Sequence, residues 1–498
     1  MPALARLDRD RDAVLMAEVR EEAEHVASHR QRTTLFLAAM RHFALDLIKK
    51  GYRVRYVRLD DRANTQSLGA EVLRALQKLE PECLQVVRPG DHRVAAMLAA
   101  AAEEHGAPLE ILADDAFTCS LEEFGAWADD GRKELVMEYF YRQRRRALAV
   151  LVDAKGAPAG GAWNFDKDNR HAFKQEPRVP SPYLPRPDAI TREVMQLVER
   201  TWPEAPGRME AFHWPVTRRQ ALRALRDFIA NRLENFGTYE DAMWSGQPVL
   251  HHSRLSSSLN LKLLRPQECV DLALEAYQDG RVAINDVEGF VRQVIGWREF
   301  IRGVYYREGP DYGSRNGLEH GGALPDFYWS GETDMNCLRH CVAEVLDNAW
   351  GHHIPRLMVL GNFALIAGVA PRAVNDWFLA MYVDAVDWVT APNVIGMSQH
   401  ADHGVVGTKP YAGSGRYIDR MSNYCAECPY NPKIRTGDEA CPFNTFYWDF
   451  MMRHQRRFAG NRRMTMVLKN IDRLDDTEKK LIRERAARLR SEFAVSDG

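Results

Sequence analysis

The feature that most constrains the fold is a change of hydrophobic period near residue 190. In the first part of the chain, short strand-like runs at 13–19, 53–59 and 83–87 alternate with helical segments such as 33–51. This alternation is typical of a parallel α/β domain. Beyond residue 190 the apolar residues recur with a helical period almost throughout. The sequence therefore predicts an N-terminal α/β domain followed by a large all-α domain.

The predicted domain boundaries follow from this change and from a Pro- and Gly-rich stretch at 150–190. We assign residues 1–115 to the α/β domain, 116–195 to connecting helices and linker, and 196–498 to the helical domain. The chain opens in charged, loop-like sequence, where a parallel α/β domain usually opens with a strand. The parallel sheet is therefore expected to lack its first strand. Clear helices of the second domain are predicted at 217–234, 266–278 and 476–493.

Composition excludes several classes of protein. A net charge of -2 over 498 residues gives no overall attraction to nucleic acid, so such a surface must be a local patch. The first residues lack the apolar core of a secretory signal, and the longest apolar run, 357–371, is too short to span a bilayer. We expect a cytoplasmic protein without a membrane segment, in which clustered cysteines bind metal more often than they form disulfides.

Three of the eight cysteines lie within "NYCAECPYNPKIRTGDEACPFN", residues 423–444. Cys425 and Cys428 form a Cys-x-x-Cys pair, Cys441 follows, and Pro429 and Pro442 stand directly after two of the three. Thiolates spaced in this way converge on one centre when a tight turn directs the side chains inward.

Spacing alone leaves the nature of this centre and its fourth ligand open. A zinc ion, an iron–sulfur cluster and a set of buried structural thiols all fit, although Cys-Pro pairs favour a [4Fe–4S] cluster. The helical domain offers three candidates for a fourth thiolate: Cys337, Cys341 and Cys269.

Other stretches place polar groups in apolar surroundings. "WGHHIPRLMVLGNF" carries His352 and His353, which point about 100° apart on a helix, so at most one faces a given site. Asp384, in an apolar stretch, needs a partner if it is buried, and Arg356 is available. "HHSRLSSSLN" (251–260) is a plausible phosphate-binding turn, although serine runs are more often loops or caps. Basic residues at 142–146 and 453–463 are typical of solvated helix faces, and the second group could contact phosphates.

Together these motifs resemble the cryptochrome/photolyase superfamily, and most closely its bacterial iron–sulfur branch, the prokaryotic (6-4) photolyases and related bacterial cryptochromes. The resemblance covers nearly the whole chain. "WREF" and "SRLS" are similar to photolyases in general, whereas the cysteine stretch together with "HHIPR" is specific to the bacterial branch. Further matching stretches are "MAEVREEAEHV", "FYRQRRR", "GGAWNFDKDNR", "NFGTYEDAM", "GHHIPRLMVLGNF", "APNVIGMSQHAD" and "KPYAGSGRYI".

The resemblance implies FAD, folded back on itself, in the helical domain. Arg298 would line its pocket. Arg356 and Asp384 would form an ion pair near the isoalloxazine ring, and Asn393 would lie near the N5 edge of that ring. The residues implied to bind the FAD phosphates are Tyr239, Ser253, Arg254, Leu255, Ser256 and Ser257.

The resemblance also implies two further cofactors. The ligands of a [4Fe–4S] cluster would be Cys337, Cys425, Cys428 and Cys441, which selects Cys337 over Cys341. A 6,7-dimethyl-8-ribityllumazine antenna would bind the α/β domain. The family loop that helps to hold this antenna would precede the first residue of this chain, which leaves Glu18 as a candidate contact.

The implied activity is light-driven repair of UV-damaged DNA by a monomer. Photoexcited reduced FAD passes an electron to a lesion extruded from the stack, and the electron returns after rearrangement. A (6-4) lesion also needs a proton, so His353 is expected to be the donor, with His352 in support, while Tyr411 contacts the lesion. The animal enzymes have a further histidine where this chain has Leu357, so the proton relay must differ.

Trp377 and Trp329 would carry electrons during flavin photoreduction, although aromatic core is the alternative interpretation of both. The alternative function is a cryptochrome-type blue-light photoreceptor with weak or no repair. A nucleic-acid-binding iron–sulfur protein without photochemistry is a third, which the flavin motifs disfavour.

Overall fold

The four strands of the N-terminal domain are short, and helices connect them. The structure is a computed structural model that describes residues 2–495. The strands are β1 (Val14–Ala17), β2 (Val54–Val57), β3 (Leu84–Val87) and β4 (Leu109–Leu112). The helices of this part are α1 (Pro2–Arg6), α2 (Glu21–Glu24), α3 (Arg30–Lys49), α4 (Leu68–Leu79), α5 (His92–His105), α6 (Leu121–Ala128) and α7 (Met137–Ala147).

The strands form two separate parallel pairs. β1 pairs with β2, with Val14 opposite Val54, and β3 pairs with β4, with Leu84 opposite Leu109. Helices cross between the paired strands, as parallel connections require. Within residues 2–495 no hydrogen-bonded strand joins the two pairs into one sheet. The predicted parallel α/β domain is therefore confirmed, but as two short sheets in place of one.

The rest of the described chain is helical after an irregular stretch. Between α7 and residue 188 the only helical turn is Ala159–Gly161. This irregular stretch contains the predicted linker, which stays a prediction. The predicted boundary at residue 115 falls in the loop after β4, the one at 195 falls within α8, and both stay predictions.

The helices of the second part, as far as α16, are α8 (Ala189–Thr201), α9 (Arg218–Asn231), α10 (Ser256–Asn260), α11 (Pro266–Gln278), α12 (Ile284–Val291), α13 (Arg298–Glu308), α14 (Phe327–Ser330), α15 (Asn336–Asn348) and α16 (Asn362–Ala367). The last ones are α17 (Pro371–Met381), α18 (Asp387–Ala391), α19 (Gly415–Met421), α20 (Pro442–Arg453), α21 (Gln455–Phe458), α22 (Thr465–Ile471) and α23 (Asp476–Glu492).

Helix α11 shows how local sequence sets these elements. It begins with proline, whose missing N–H is not needed in the first turn, and Glu268 accepts a hydrogen bond from the backbone N–H of Arg265. The apolar residues Cys269, Val270, Ala273 and Ala276 recur at helical spacing and are buried. The observed bounds are the predicted ones, because capping and period agree.

Two apolar cores fill the helical domain, and a segment between them carries site residues. In one core Phe363 and Phe446 pack edge to face at 5.6 Å, and in the other Phe228 and Phe290 lie 4.9 Å apart. The stretch 392–398 lies between these cores, since Val394 packs in the first and Ile395 in the second. Within residues 2–495 no helix combines the length and apolar character needed to cross a membrane.

Glu18 ties the end of β1 to the helix and strand beside it. Its carboxylate accepts two hydrogen bonds from Arg41, at 2.6 and 2.9 Å, one from the Tyr56 hydroxyl at 2.6 Å and one from the backbone N–H of Leu59 at 2.9 Å. Both oxygens are thereby used inside the protein. Glu18 consequently has a structural role, and its predicted contact with an antenna stays a prediction.

Replacement of Glu18 by alanine should destabilise the α/β domain. The change leaves the buried Arg41 guanidinium without its counter-charge, which costs about 3–5 kcal/mol. Urea unfolding should show this loss as a lower midpoint. Glu82→Ala, at a carboxylate that is 95% exposed, serves as the control and should unfold like the unmodified protein. Equal midpoints for all three proteins would contradict the structural role of Glu18.

Candidate functional site

A buried ion pair joins distant parts of the helical domain. Arg356 donates two hydrogen bonds to Asp384, from Nη1 to Oδ1 at 3.0 Å and from Nη2 to Oδ2 at 2.9 Å. The Ser256 hydroxyl donates to the same carboxylate at 2.6 Å, and the Gly351 carbonyl accepts from Arg356 Nε at 2.7 Å. The Tyr382 ring lies 4.1 Å from the guanidinium. A two-point pair held on several sides is rigid enough to orient a polar ligand.

The serine-rich turn beside this pair holds buried polar atoms that lack partners. A buried polar atom without a hydrogen bond costs about 1–3 kcal/mol, so several in one turn indicate a ligand that completes them. Phosphate and ribose groups, which offer many acceptors and donors, suit this set. The unpartnered atoms in this part of the described chain are His251 Nδ1, His252 Nε2, Arg254 Nε, Ser257 Oγ and Ser258 Oγ.

Three π-helical segments contain or directly precede predicted site residues. The sequence pattern did not reveal these segments. The first, Arg292–Trp297, leads directly into Arg298. The second, Pro355–Gly361, contains Arg356, and the third, Pro392–Ser398, contains Asn393. Such segments are rare and are frequent at functional sites, because the wider turn interrupts the regular hydrogen-bond ladder.

Arg298 lines a cavity between the two domains. Its guanidinium lies 4.5 Å from the Phe117 ring and 4.9 Å from the Trp388 ring, and it donates to the Asn260 side chain. Asn260 Nδ2 in turn donates to the backbone carbonyl of Asp384 at 2.7 Å. Asn260 thus connects Arg298, in the cavity wall, to the backbone of Asp384, in the ion pair.

This interdomain cavity has a volume of about 190 Å³ and walls of rings and paired charges. On the α/β side Arg93 forms a two-point pair with Glu22, at 2.8 and 2.9 Å, beside Phe36. The helical side supplies Trp388 and Tyr306. Flat apolar walls with a few placed charges suit a planar polar ring system.

Three histidines meet where the serine-rich turn approaches the "HH" pair. One ring nitrogen of each of His252, His352 and His353 lies within 4.8 Å of the others. The His252 and His352 rings stack at 4.1 Å with 17° between their planes, and His353 meets His252 edge-on at 5.5 Å. The lone pairs of stacked rings lie in nearly parallel planes that do not meet at one ion, so this cluster suits proton handling better than metal binding.

Burial distinguishes the roles of these histidines. Burial lowers the pKa of His252 and of His352 well below the usual value, so both rings are neutral near pH 7. The His353 side chain is 47% exposed, with Nε2 3.6 Å from Oδ1 of Asp241. The ring that is open to a substrate is therefore also the one that lies beside a carboxylate.

Three further predicted site residues, Tyr239, Tyr411 and Asn393, have contacts of their own apart from the ion pair and the histidines. The Tyr239 ring stacks on Phe173 at 4.3 Å with 10° between the planes. Burial raises the pKa of Tyr411, whose hydroxyl therefore stays protonated. Asn393 Nδ2 donates to the Val389 carbonyl at 2.8 Å within its helix. Their predicted functional roles stay predictions.

Within the predicted phosphate-binding turn only part of the side chains faces the ion pair. Ser256 binds Asp384, and Ser253 Oγ accepts from the backbone N–H of Leu255 at 3.4 Å. Arg254 places its guanidinium 4.1 Å from the Trp214 ring, and burial lowers the pKa of Arg254 to about 10.

A row of aromatic side chains leads from the ion pair to the surface. Tyr382, against Arg356, lies 5.9 Å from the buried Trp377 ring, which lies 5.2 Å from Tyr328. Trp377 Nε1 also donates to the Tyr328 carbonyl at 3.1 Å. Trp329 is next in the chain and is 38% exposed. Trp377 is therefore a buried member of this row, whereas Trp329 is the exposed chain neighbour of its outer member, Tyr328.

Four cysteines line a single small cavity: Cys337, Cys425, Cys428 and Cys441. Cys341, one turn later in α15, hydrogen-bonds with the side chain of Tyr424 instead. The cavity wall includes Gly415, at which a Cβ atom would lie 2.9 Å from the Cys441 sulfur. The structure thus brings together the predicted four thiols and leaves space beside them that a side chain would fill.

The spacing of the sulfurs bears on what they can bind. A tetrahedral zinc site has Zn–S bonds of about 2.3 Å, which hold its sulfurs roughly 3.8 Å apart. Among residues 2–495 no three cysteine sulfurs lie within 4.8 Å of one another. No three of the four sulfurs are therefore as close together as one tetrahedral zinc ion would hold them.

The two basic stretches differ in how much of their charge is free. Arg145 is fully buried and donates to the backbone carbonyls of residues 150 and 163, while Arg144 donates to that of Thr118. In the second stretch Arg457 pairs with Glu319 at 2.6 Å, whereas Arg456 and Arg462 are exposed. The second stretch is the better candidate for phosphate contacts.

Sequence reasoning missed several residues that complete the site. His252, Asp241 and Tyr382 all contact predicted site residues, and Asn260 connects the ion pair to the interdomain cavity. Adjacency to quoted motifs was the only signal for His252, Asp241 and Asn260, because "HHSRLSSSLN" and "NFGTYEDAM" contain them. Nothing in the sequence indicated Tyr382, whose role depends on packing between distant segments.

Comparison with known proteins gives consistent matches. A model of the family described as deoxyribodipyrimidine photo-lyase-related protein matches residues 1–214. A protein of Agrobacterium fabrum (strain C58) named "(6-4) photolyase" is 45% identical over 485 residues, which cover 97% of this chain and 95% of that protein. An uncharacterised protein, R855, of Acanthamoeba polyphaga mimivirus is 32% identical over 103 residues, 21% of this chain and 76% of its own length.

Solved structures with a similar fold include a photolyase and a cryptochrome. A bacterial class III photolyase from Agrobacterium tumefaciens superposes with a TM-score of 0.52 at 16% identity, covering 82% of this chain and 80% of that one. A cryptochrome of Synechocystis sp. PCC6803 superposes with a TM-score of 0.50 at 14% identity and covers 82% of each chain. At these identities the likeness concerns the fold, in which an α/β region precedes a helical one.

Proposed function

We propose a light-driven DNA repair activity for this chain, which belongs to the cryptochrome/photolyase superfamily. The proposed substrate is a (6-4) pyrimidine–pyrimidone photoproduct in UV-damaged DNA, bound by a cytoplasmic monomer. The observation that carries the proposal is the half-exposed His353 beside a carboxylate, next to the Arg356–Asp384 pair. A relative of nearly the same length that is named "(6-4) photolyase" supports the choice of lesion.

Membership of the superfamily implies FAD, and the residues present fit it. When bound and reduced, FAD would supply the photoexcited electron. The Arg356–Asp384 pair would hold the polar edge of its ring system, since the guanidinium and the Ser256 hydroxyl fix the carboxylate in one orientation. The unpartnered atoms of the 251–258 turn would receive its phosphates and ribose.

The proposed function of the histidines is to hold one proton on the His353 ring, where the lesion can receive it. His353 would donate from Nε2 to the lesion and regain the proton afterwards, with Asp241 stabilising the charged ring. His352 stays neutral because it is buried, so it would support His353 as a packing partner and not as a second donor. The Tyr411 hydroxyl, protonated at neutral pH, would contact the lesion as a hydrogen-bond donor.

The aromatic row supports a route for flavin photoreduction. Trp377 reaches Arg356 through Tyr382 alone, and Trp329 brings the row to solvent, where an external reductant has access. The proposed order of electron carriers is therefore Trp329 outside and Trp377 inside.

Repair should depend on light and on His353. The purified flavoprotein is incubated with an oligonucleotide carrying one (6-4) photoproduct, and restored thymines are measured by chromatography. His353→Ala should lower repair at least about 100-fold, because general acid catalysis contributes roughly 10²–10⁴-fold, while flavin content stays unchanged. His213→Ala, outside the histidine cluster, is the matched control. Repair in the dark, or full activity of His353→Ala, would contradict the proposal, and bound flavin without repair in light would favour the photoreceptor function.

We propose a [4Fe–4S] cluster at the four-cysteine cavity. The support is the donor set itself, the wide separation of the sulfurs, and the glycine that leaves room beside Cys441. The cluster would connect α15 to the start of α20, so its binding free energy would stabilise the fold of this part of the domain.

Iron content should distinguish Cys337 from Cys341. Cys337→Ser removes a ligand and should abolish the broad visible absorbance of the cluster and lower the thermal midpoint. Cys341→Ser changes a thiol of the same helix, one turn away, and should retain about four irons per chain, the number expected for a cluster with four cysteine ligands. Iron analysis after anaerobic purification tests this. Loss of iron in both variants, or in neither, would contradict the assignment, and zinc in the unmodified protein would replace it.

We also propose that the interdomain cavity holds the ribityllumazine antenna. Its aromatic walls and its connection through Asn260 to the ion pair support a planar chromophore at this position, near the proposed flavin site. A bound antenna would pass excitation energy to the flavin without contact.

Filling the cavity should remove the antenna and spare the flavin. Val94→Trp adds an indole to the cavity wall, whereas Ala96→Trp places one on the exposed side of the same helix. The released chromophores are separated by chromatography and identified by fluorescence. The first variant should lose the lumazine and keep FAD, and the second should keep both. Absence of any second chromophore in the unmodified protein would overturn this assignment.

A further inference from the structure

We propose that Asn461 is a positioning residue for Tyr411: its side chain holds the outer side of the loop 407–413, which carries this tyrosine. The inference rests on the proposed function, in which the Tyr411 hydroxyl contacts the lesion. Asn461 lies within the second basic stretch, where only the charged residues had an expected role. A neutral side chain of that stretch thus acquires a part in lesion recognition.

The Tyr411 side chain does not fix its own position. Within residues 2–495 its hydroxyl has no hydrogen-bond partner, and the loop around it is irregular. A hydrogen bond to a lesion is directional, so its donor must be held at a defined place. The place of this hydroxyl therefore depends on the contacts that hold the loop backbone.

Asn461 makes the outer contact to the loop. Its Nδ2 donates to the Thr408 carbonyl at 2.8 Å, while its Oδ1 accepts from the backbone N–H of Arg463 at 3.0 Å. The Arg463 guanidinium also donates to the Thr408 hydroxyl. The amide of Asn461 is therefore oriented by one bond and uses its other end to hold the backbone at Thr408.

Displacement of Thr408 would reach the Tyr411 ring by a short route. Pro410, between the two, has a fixed φ, so the backbone there has little freedom. The loop also folds back on itself, since a Cβ atom at Gly407 would lie 3.6 Å from Cε2 of Tyr411. The same point is 3.7 Å from the carbonyl oxygen of Gly396, in the third π-helical segment. The residue directly before Thr408 thus lies between the tyrosine ring and that segment.

The inner end of the loop is fixed independently. Asn362 Nδ2 donates to the Gly413 carbonyl at 2.9 Å, and the backbone N–H of Gly413 donates to Asn362 Oδ1 at 2.9 Å. Asn362 is 1% exposed and begins α16, directly after the π-helical segment that contains Arg356. With this end held, the bond from Asn461 decides where the stretch between Thr408 and Gly413 lies.

The first test follows the position of Tyr411 in the holoprotein, in the dark and without DNA. Asn461→Ser removes the amide donor but keeps a short oxygen acceptor for the Arg463 N–H. In protein labelled with fluorotyrosine, the fluorine NMR signal of Tyr411, identified through Tyr411→Phe, should shift or broaden. The signal of Tyr417, whose hydroxyl donates to Asp241 at 3.3 Å, should stay unchanged. An unchanged Tyr411 signal would overturn the inference even if repair is confirmed.

The second test separates lesion binding from general DNA binding. Fluorescence anisotropy gives the Kd for an oligonucleotide with one (6-4) photoproduct and for its undamaged counterpart. Asn461→Ser should weaken lesion binding about three- to tenfold, as expected for the loss of one hydrogen bond. Binding of undamaged DNA should stay within about twofold, because it depends on phosphate contacts. In a Tyr411→Phe background, Asn461→Ser should have no further effect on lesion binding, since both changes act on the same hydrogen bond.

Two controls separate the contact to the loop from other effects. Asn461→Asp retains the acceptor for the Arg463 N–H and lacks the amide donor, so its loss of preference for the lesion should match that of Asn461→Ser. Asn470→Ser, in α22, changes a side chain that accepts from Arg473 at 3.1 Å and should leave both affinities unchanged.

The outcomes judge the inference and the proposed function separately. A normal preference of Asn461→Asp for the lesion, or an additive loss in the Tyr411→Phe background, would refute the positioning role. An unmodified protein that binds lesion and undamaged DNA equally would refute the proposed function instead, and the NMR signal of Tyr411 would still decide whether Asn461 holds the loop.

Discussion

The structure depends most on the two-point pair between Arg356 and Asp384. The pair joins a π-helical segment to the stretch before α18, and the Ser256 hydroxyl attaches the serine-rich turn to the same carboxylate. A buried carboxylate without its guanidinium would be costly, so these segments cannot separate without loss of the pair. Tyr382 beneath the guanidinium and Asn260 on the Asp384 carbonyl extend the contact to the aromatic row and to the interdomain cavity.

The three histidines near this pair differ in their exposure to solvent. His252 and His352 are buried and neutral, whereas His353 is half exposed and lies beside the Asp241 carboxylate. Only the His353 ring is therefore open to a substrate. The cysteine cavity lies at another place in the same domain and has a different task, since four thiols from α15 and from the 425–441 stretch can bind a cofactor that connects them.

Much of the fold was predictable because local signals agree with the tertiary structure. The bounds of α11 follow from a proline, a capping glutamate and a regular apolar period, and the strands β1 to β3 follow from alternation. The Arg356–Asp384 pair and the choice of Cys337 were predicted from motif resemblance, and the structure brings both sets together. The structural role of Glu18 was not predicted, because nothing in its neighbourhood along the chain shows that Arg41, Tyr56 and Leu59 all converge on it.

By itself, the sequence determined the order of an α/β part and a helical part, the membership of the superfamily, and the residue types of the site. Tertiary structure alone decided which of two adjacent histidines is buried, which of two cysteines on one helix faces the cavity, and which carboxylate contacts His353. The physical reason is that period, capping and motif spacing are local properties of the chain. Burial and the distance between charges, which set the protonation of a group, depend on segments more than one hundred residues apart, such as 240–252 and 352–353.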